Sequence, residues 1–196
     1  MKQIIFTLVA FLAFAGSNAQ DFNKYLATAR TSYTAKNLDD ARFAMQQMLQ
    51  DLDVLTGKEA LKLLPSKLAA LTANMANDNV TGNSGFAGIM IQRDYGTGDK
   101  TAEIQIIGNS PLIASINAIL SLPFGNSNGN QRTIRLDGYK ALLQKHTDSE
   151  SGKVSYEIQV PLNSSLLTLK ANGLSEEEVQ KLAAAIPISK LTSLIQ

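Results

Sequence analysis

The sequence has no cysteine, no tryptophan and a single histidine, His146. Without cysteine no disulfide can form, so any core must hold by packing alone. One imidazole and no thiolate also exclude the usual zinc, haem, copper and iron–sulfur sites. Only an all-oxygen metal site remains open, and Asp94 with Asp99 lacks the spacing of a calcium loop. No metal and no cofactor is therefore implied. Charge of one sign is equally lacking: 18 Lys and Arg stand against 17 Asp and Glu, with no long run of either. A nucleic-acid-binding face is basic, and so is a segment that reads an anionic membrane; neither is present. Aromatic residues make up only 6 % of the chain. No Gly-x-Ser-x-Gly elbow and no Gly-Lys-Ser/Thr phosphate loop occurs.

What is present begins at the N-terminus. Lys2 precedes an apolar run over residues 4–15, and Gly16-Ser17-Asn18-Ala19 places small residues where a leader peptidase cuts. The run is shorter than the ~20 residues of a membrane span. This predicts a signal peptide over 1–19, a mature chain from Gln20 with no membrane span, and export to the periplasm or the medium.

Residues 20–76 read as a helical region. Phe22, Tyr25, Leu26, Ala29 and Tyr33 form one apolar stripe. Asn37 is a fitting N-cap for a second helix, with Asp39 and Asp40 in its first turn. That helix carries Leu38, Ala41, Met45, Met48, Leu49, Leu52 and Leu55 on one side. Thr56 and Glu59 have capping-box spacing, which predicts a third short helix stopped by Pro65. Residues 66–76 are expected to add a further helical turn or two. Residues 77–85 read as a polar linker. The region 86–196 then changes to period 2. Strands are expected over FAGIMIQRDY, TAEIQII, TIRL, YKALLQKHT, KVSYEIQV and SLLTLKA. Helices are expected at 111–121 and at 175–186, the latter with a Ser175–Glu178 capping box.

Two segments repeat. KTAEIQIIGNSP at 100–111 matches KVSYEIQVPLNSS at 153–165, so Glu103-Ile104-Gln105 and Glu157-Ile158-Gln159 recur at equal spacing. This suggests an internal duplication. Paired carboxylates can hydrolyse glycosides, but strand parity places Glu103 and Glu157 on the polar side, opposite the isoleucines. Cross-strand pairing with Arg93, Lys140 or Lys145 is their expected use. His146, Asp148 and Ser149 are too close on one turn to form a triad.

The expected fold is α+β: an N-terminal helical hairpin, then an antiparallel sheet of about six strands packing helices 111–121 and 175–186 on one face. The YKALLQK strand is expected near its centre. The stretch TARTSYTAKNLDDARFAMQQML resembles a single tetratricopeptide-type unit, which implies a docking surface. With the ending SNAQD and the segments GFAGIMIQRDY and NSPLIASINAILSLPF, the chain resembles exported proteins of Bacteroidetes-type bacteria whose function is not established. The sheet with flanking helices is similar in architecture to the PsbP/Mog1-like fold. These likenesses name no chemistry. The reading is thus a non-catalytic exported protein that binds an envelope protein partner or assists assembly, with Phe43, Met45 and Met48 as the binding residues. Phe43, off the main stripe, is the expected exposed anchor. The alternatives are a small-ligand binder with a pocket between sheet and helices, and a carboxylate-dependent hydrolase.

Overall fold

The computed structural model describes residues 17–82, 88–122 and 129–195, with side chains from residue 21 onward. Most of the expected leader lies outside the described residues. Two helices come first, α1 (Ser17–Thr34) and α2 (Leu38–Leu63). Lys36 turns the chain between them with φ 60°, and the Asn37 side chain holds Asp40 at the start of α2. Contacts cluster into two units, one through Asp51 and one from Leu52 onward, and α2 passes from the first into the second. Among the described side chains of the first unit the buried residues are alanines: Ala29, Ala41 and Ala44.

The expected break at Thr56 does not occur, and α2 runs through it. The reason is tertiary. A side chain at Gly57 would stand 2.5 Å from Val80 Cγ1 and 2.7 Å from Ile89 Cδ1, so the glycine lets the helix press onto the sheet. Beyond it Ala60, Leu61 and Leu64 are buried. Residues 66–76 also differ from expectation. They form a two-stranded ladder, β1 (Lys67–Leu68) with β2 (Leu71–Thr72), and then a single 3₁₀ turn at Met75–Asn77. Within 77–85, read as a linker, β3 (Asn79–Thr81) pairs with the sheet edge.

Among the described residues the main sheet has seven antiparallel strands. After β3 come β4 (Met90–Thr97), β5 (Lys100–Gly108), β6 (Gln131–Leu136), β7 (Tyr139–Thr147), β8 (Val154–Pro161) and β9 (Ser165–Asn172). Their order is β3-β4-β5-β9-β8-β7-β6. The central strand is thus β9, not the expected β7, which lies next to the β6 edge. Period-2 alternation gives the sheet two faces. One carries Ile91, Ile104, Ile106, Ile158, Val160, Leu167 and Leu169, all buried. It is covered by the end of α2 and by α4 (Glu176–Ala184) and α5 (Ile188–Leu194), which contribute Val179, Leu182, Ile188 and Leu191 to the same cluster.

The other helix, α3 (Leu112–Leu120), does not share that face as expected. Its Ile116 and Leu120 pack on Leu142, whose neighbours Ala141 and Leu143 point to the main core. Alternation along β7 therefore puts α3 and α4 on opposite sides. The repeated segments occupy β5 and β8, the two neighbours of β9. Glu103 and Glu157 both oppose Lys170, Ile104 and Ile158 both oppose Leu169, and Gln105 and Gln159 both oppose Thr168. The match thus describes two flanks of one strand, with the hairpins β4–β5 and β7–β8 disposed around it with opposite hands.

The capping box of α4 forms as expected. Glu178 N donates to Ser175 Oγ at 3.3 Å, and Ser175 N donates to Glu178 Oε2 at 2.7 Å. Lys100 Nζ also donates to Glu178 Oε1 at 2.8 Å. Lys100, then the Ser175 amide and hydroxyl, hold the Glu178 carboxyl down from 4.5 to about 2. A carboxyl held below its unfolded value adds stability that is complete above the unfolded pKa and fades as pH falls through the folded one. The thermal midpoint is therefore expected to fall between about pH 4.5 and about pH 2, and to fall less in Glu178→Gln. Melts followed by circular dichroism across that window check this. Equal slopes in both proteins would show the carboxyl to be unlinked to folding.

Candidate functional site

Among the described residues, three places gather side chains able to bind or react. The first is the polar face of the sheet. Cross-strand register lines up Asp94, Glu103, Lys170, Glu157 and Gln144 on β4, β5, β9, β8 and β7. A shallow concavity of about 350 Å³ lies over this row, lined also by His146 and Asn172. It lies on open sheet, rather than between sheet and helix. Glu157 accepts from Gln159 Nε2 at 2.6 Å, and His146 Nε2 stands 4.0 Å from its other oxygen. Each glutamate has Lys170 as cross-strand neighbour. The expected cations are elsewhere. Arg93 and Lys145 alternate onto the core face, and Lys140 donates to the Leu120 carbonyl at the end of α3.

This row has poor means for acid–base chemistry. Glu103 and Glu157 sit two strands apart, roughly 9–10 Å at the backbone, with an ammonium between them. Asp148 does not reach His146. It accepts from the amides of Glu150 and Ser151 and from the Ser151 hydroxyl, and these bonds lower its pKa. Among the described residues no group of three or more His, Asp or Glu is placed to hold a metal ion. Both glutamates are half-buried, and replacing both by Gln is expected to change stability by about 1 kcal/mol or less, the range for cross-strand pairs. Urea unfolding measures this. A larger loss would mean that the row organises the sheet.

The second place is a buried ion pair. Arg93 is 4 % exposed. Its Nε donates to Asp78 Oδ1 at 2.8 Å and its Nη2 to Asp78 Oδ2 at 2.5 Å, while Nη1 donates to the Leu64 carbonyl at 3.0 Å. The bond to Asp78 raises the arginine pKa further. Beside it the Tyr95 hydroxyl donates to the Pro65 carbonyl at 3.0 Å, and burial pushes its pKa up to about 12. Each guanidinium nitrogen has an internal acceptor. The pair fastens the end of α2 to β4 and lines an open cavity of about 630 Å³ together with Leu61, Leu64 and Met75.

The third place is the outer side of α2. Leu38, Met45, Leu49, Leu52 and Leu55 are exposed, Leu49 at 62 %. On a helix turning about 100° per residue, the first four fall within one narrow stripe. Of the three residues singled out from sequence, Phe43 is 59 % exposed and Met45 is exposed on the stripe, while Met48 is half-buried. Phe43 projects from another side of the helix. Periodicity marks Leu49, Leu52 and Leu55 as part of an apolar side without saying whether a partner covers it. Comparison with protein-family models, with curated proteins and with solved structures gives no match for this chain.

Proposed function

We propose that this is a non-catalytic exported protein, periplasmic or secreted, that docks a macromolecular partner through the outer side of α2. One observation carries the reading: four large apolar side chains stand exposed in line on one helix. Soluble proteins expose single apolar residues freely, but a contiguous apolar patch marks an interaction site. Methionine in the stripe adds an adaptable contact. The absence of one-sign charge favours a protein partner over nucleic acid. The hydrolase reading finds no support in a carboxylate pair split by Lys170. The small-ligand reading, a pocket between sheet and helices, rests on the cavity of about 630 Å³ between the end of α2 and β4. That cavity and the concavity over the Glu103–Lys170–Glu157 row are both wide open, where ligand sites enclose their occupant.

The test places a photo-crosslinking residue at position 49 in the exporting cell. The exported chain is expected to start at Gln20 by mass and to form a discrete adduct. Leu52→Glu should abolish the adduct with the melting curve unchanged. Absence of any adduct at position 49, or an adduct indifferent to Leu52→Glu, would overturn the docking reading.

A further inference from the structure

The stripe on α2 has a rhythm and a charge pattern that bear on what could cover it. Leu38, Met45, Leu49 and Leu52 follow at intervals of seven, four and three residues, the spacing at which two helices mesh side by side. At 1.5 Å per residue the stripe runs about 21 Å. Along one flank stand two ionic side chains of opposite sign, Arg42 and Asp53, set about 40° and 60° around the helix from Leu38. Neither has an ion-pair partner among the described residues. Asp53 is partly buried, and that desolvation pushes its carboxyl up. A partly desolvated carboxylate with no ion-pair partner among the described residues, beside an apolar stripe, is completed by a cation arriving with whatever covers the stripe.

Resting on the docking reading above, we propose that the occupant is a second copy of this chain, its α2 packed antiparallel on the first across a twofold axis near residue 47. In that arrangement Met45 of each copy meets Leu49 of the other, and Leu52 meets the stem of Arg42. The same flank of both helices then adjoins, which is the rule for antiparallel pairs related by a twofold axis. Arg42 of one copy therefore reaches Asp53 of the other, twice in the dimer. The apolar and ionic contacts share one centre to within a residue. A parallel pair in register would leave the two charges eleven residues apart along the axis, about 16 Å, and set like charges level. The exposed stripe, the unpartnered Asp53 and the unpaired Arg42 are all accounted for by one symmetric contact.

The contact spans about four helical turns, a small interface, so association is expected at micromolar rather than nanomolar concentration. Sedimentation of the exported chain from about 1 to about 200 µM should show a monomer passing to a dimer. Asp53→Arg should weaken the dimer about tenfold or more, Arg42→Asp likewise, and the combined charge exchange should restore it. Both positions lie on the helix surface, and circular dichroism verifies that the variants keep their helices. The absence of native cysteine permits a second, independent measurement. Met45→Cys mixed with Leu49→Cys should cross-link through a short bis-maleimide, each variant alone far less. A chain monomeric throughout, charge reversals without rescue, or links formed best by each variant alone would each overturn the proposal. If the chain is monomeric while position 49 cross-links to another protein, self-pairing fails and docking stands. If neither occurs, both fail.

Discussion

Replacing Arg93 by Met is expected to cost the protein about 3–5 kcal/mol, the range for removing one member of a buried ion pair. The loss has three sources. Asp78 keeps a carboxylate whose two hydrogen-bond donors have gone, and its side chain is only 18 % exposed. The Leu64 carbonyl, at the end of α2, loses the Nη1 donor. Methionine fills most of the volume, so the remainder of the loss is electrostatic rather than a cavity. Asp78→Asn should cost less, because the amide still accepts from the guanidinium. Urea unfolding of both variants measures the difference. A loss below about 1 kcal/mol in Arg93→Met would show that water reaches the pair and that α2 is held by its apolar contacts alone.

Gly173→Ala should be the most damaging single-methyl change in the sheet. Gly173 joins β9 to α4 with φ +67°, a conformation that costs an L-residue about 1–2 kcal/mol. An added Cβ would also collide with the Asp99 carbonyl oxygen, which is backbone and cannot swing aside. Overpacking of this kind adds about 1–3 kcal/mol, so a total loss of about 2–5 kcal/mol is expected. Gly98 supplies the control. It has nearly the same φ, +69°, with nothing within 4 Å of the new methyl. Gly98→Ala should therefore carry only the backbone strain. If the two variants unfold at the same urea concentration, the β4–β5 turn yields to the methyl and the close approach of Asp99 is not rigid.

The strands were legible because alternation is a strong signal where one face is buried. Glu103 and Glu157 fall on the polar face by counting alone, and Arg93 falls between Ile91 and Tyr95 by the same count. Sequence reading assigned Arg93 to the glutamates because a charged residue is expected outside, although its parity already placed it among apolar neighbours. The continuity of α2 through Gly57 was not legible. A glycine beside a capping pattern reads as a break, and only the closeness of Val80 and Ile89 shows why the helix needs it. The two sides of the sheet taken by α3 and α4 were hidden as well, since a loop's hydropathy does not say which face it crosses to. Phe43, the expected anchor, is exposed but off the candidate site, and Met45, expected as a binding residue, lies exposed on it. Leu49 and Leu52 were not singled out, because an uncovered stripe and a covered one have the same period.

The position of β9 bears on the order of assembly. It is the last strand made, yet it lies between β5 and β8. Until residues 165–172 emerge, a growing chain holds two strand groups with bare inner edges. Those edges carry the same Glu-Ile-Gln sequence. Direct zippering of one onto the other would be parallel and would bring Glu103 against Glu157, a like-charge juxtaposition that opposes it. Lys170 reverses the sign when β9 arrives, matching both glutamates at once. Lys170 thus opposes a glutamate on each flank, so the charge match across the middle of the sheet exists only once β9 is in place.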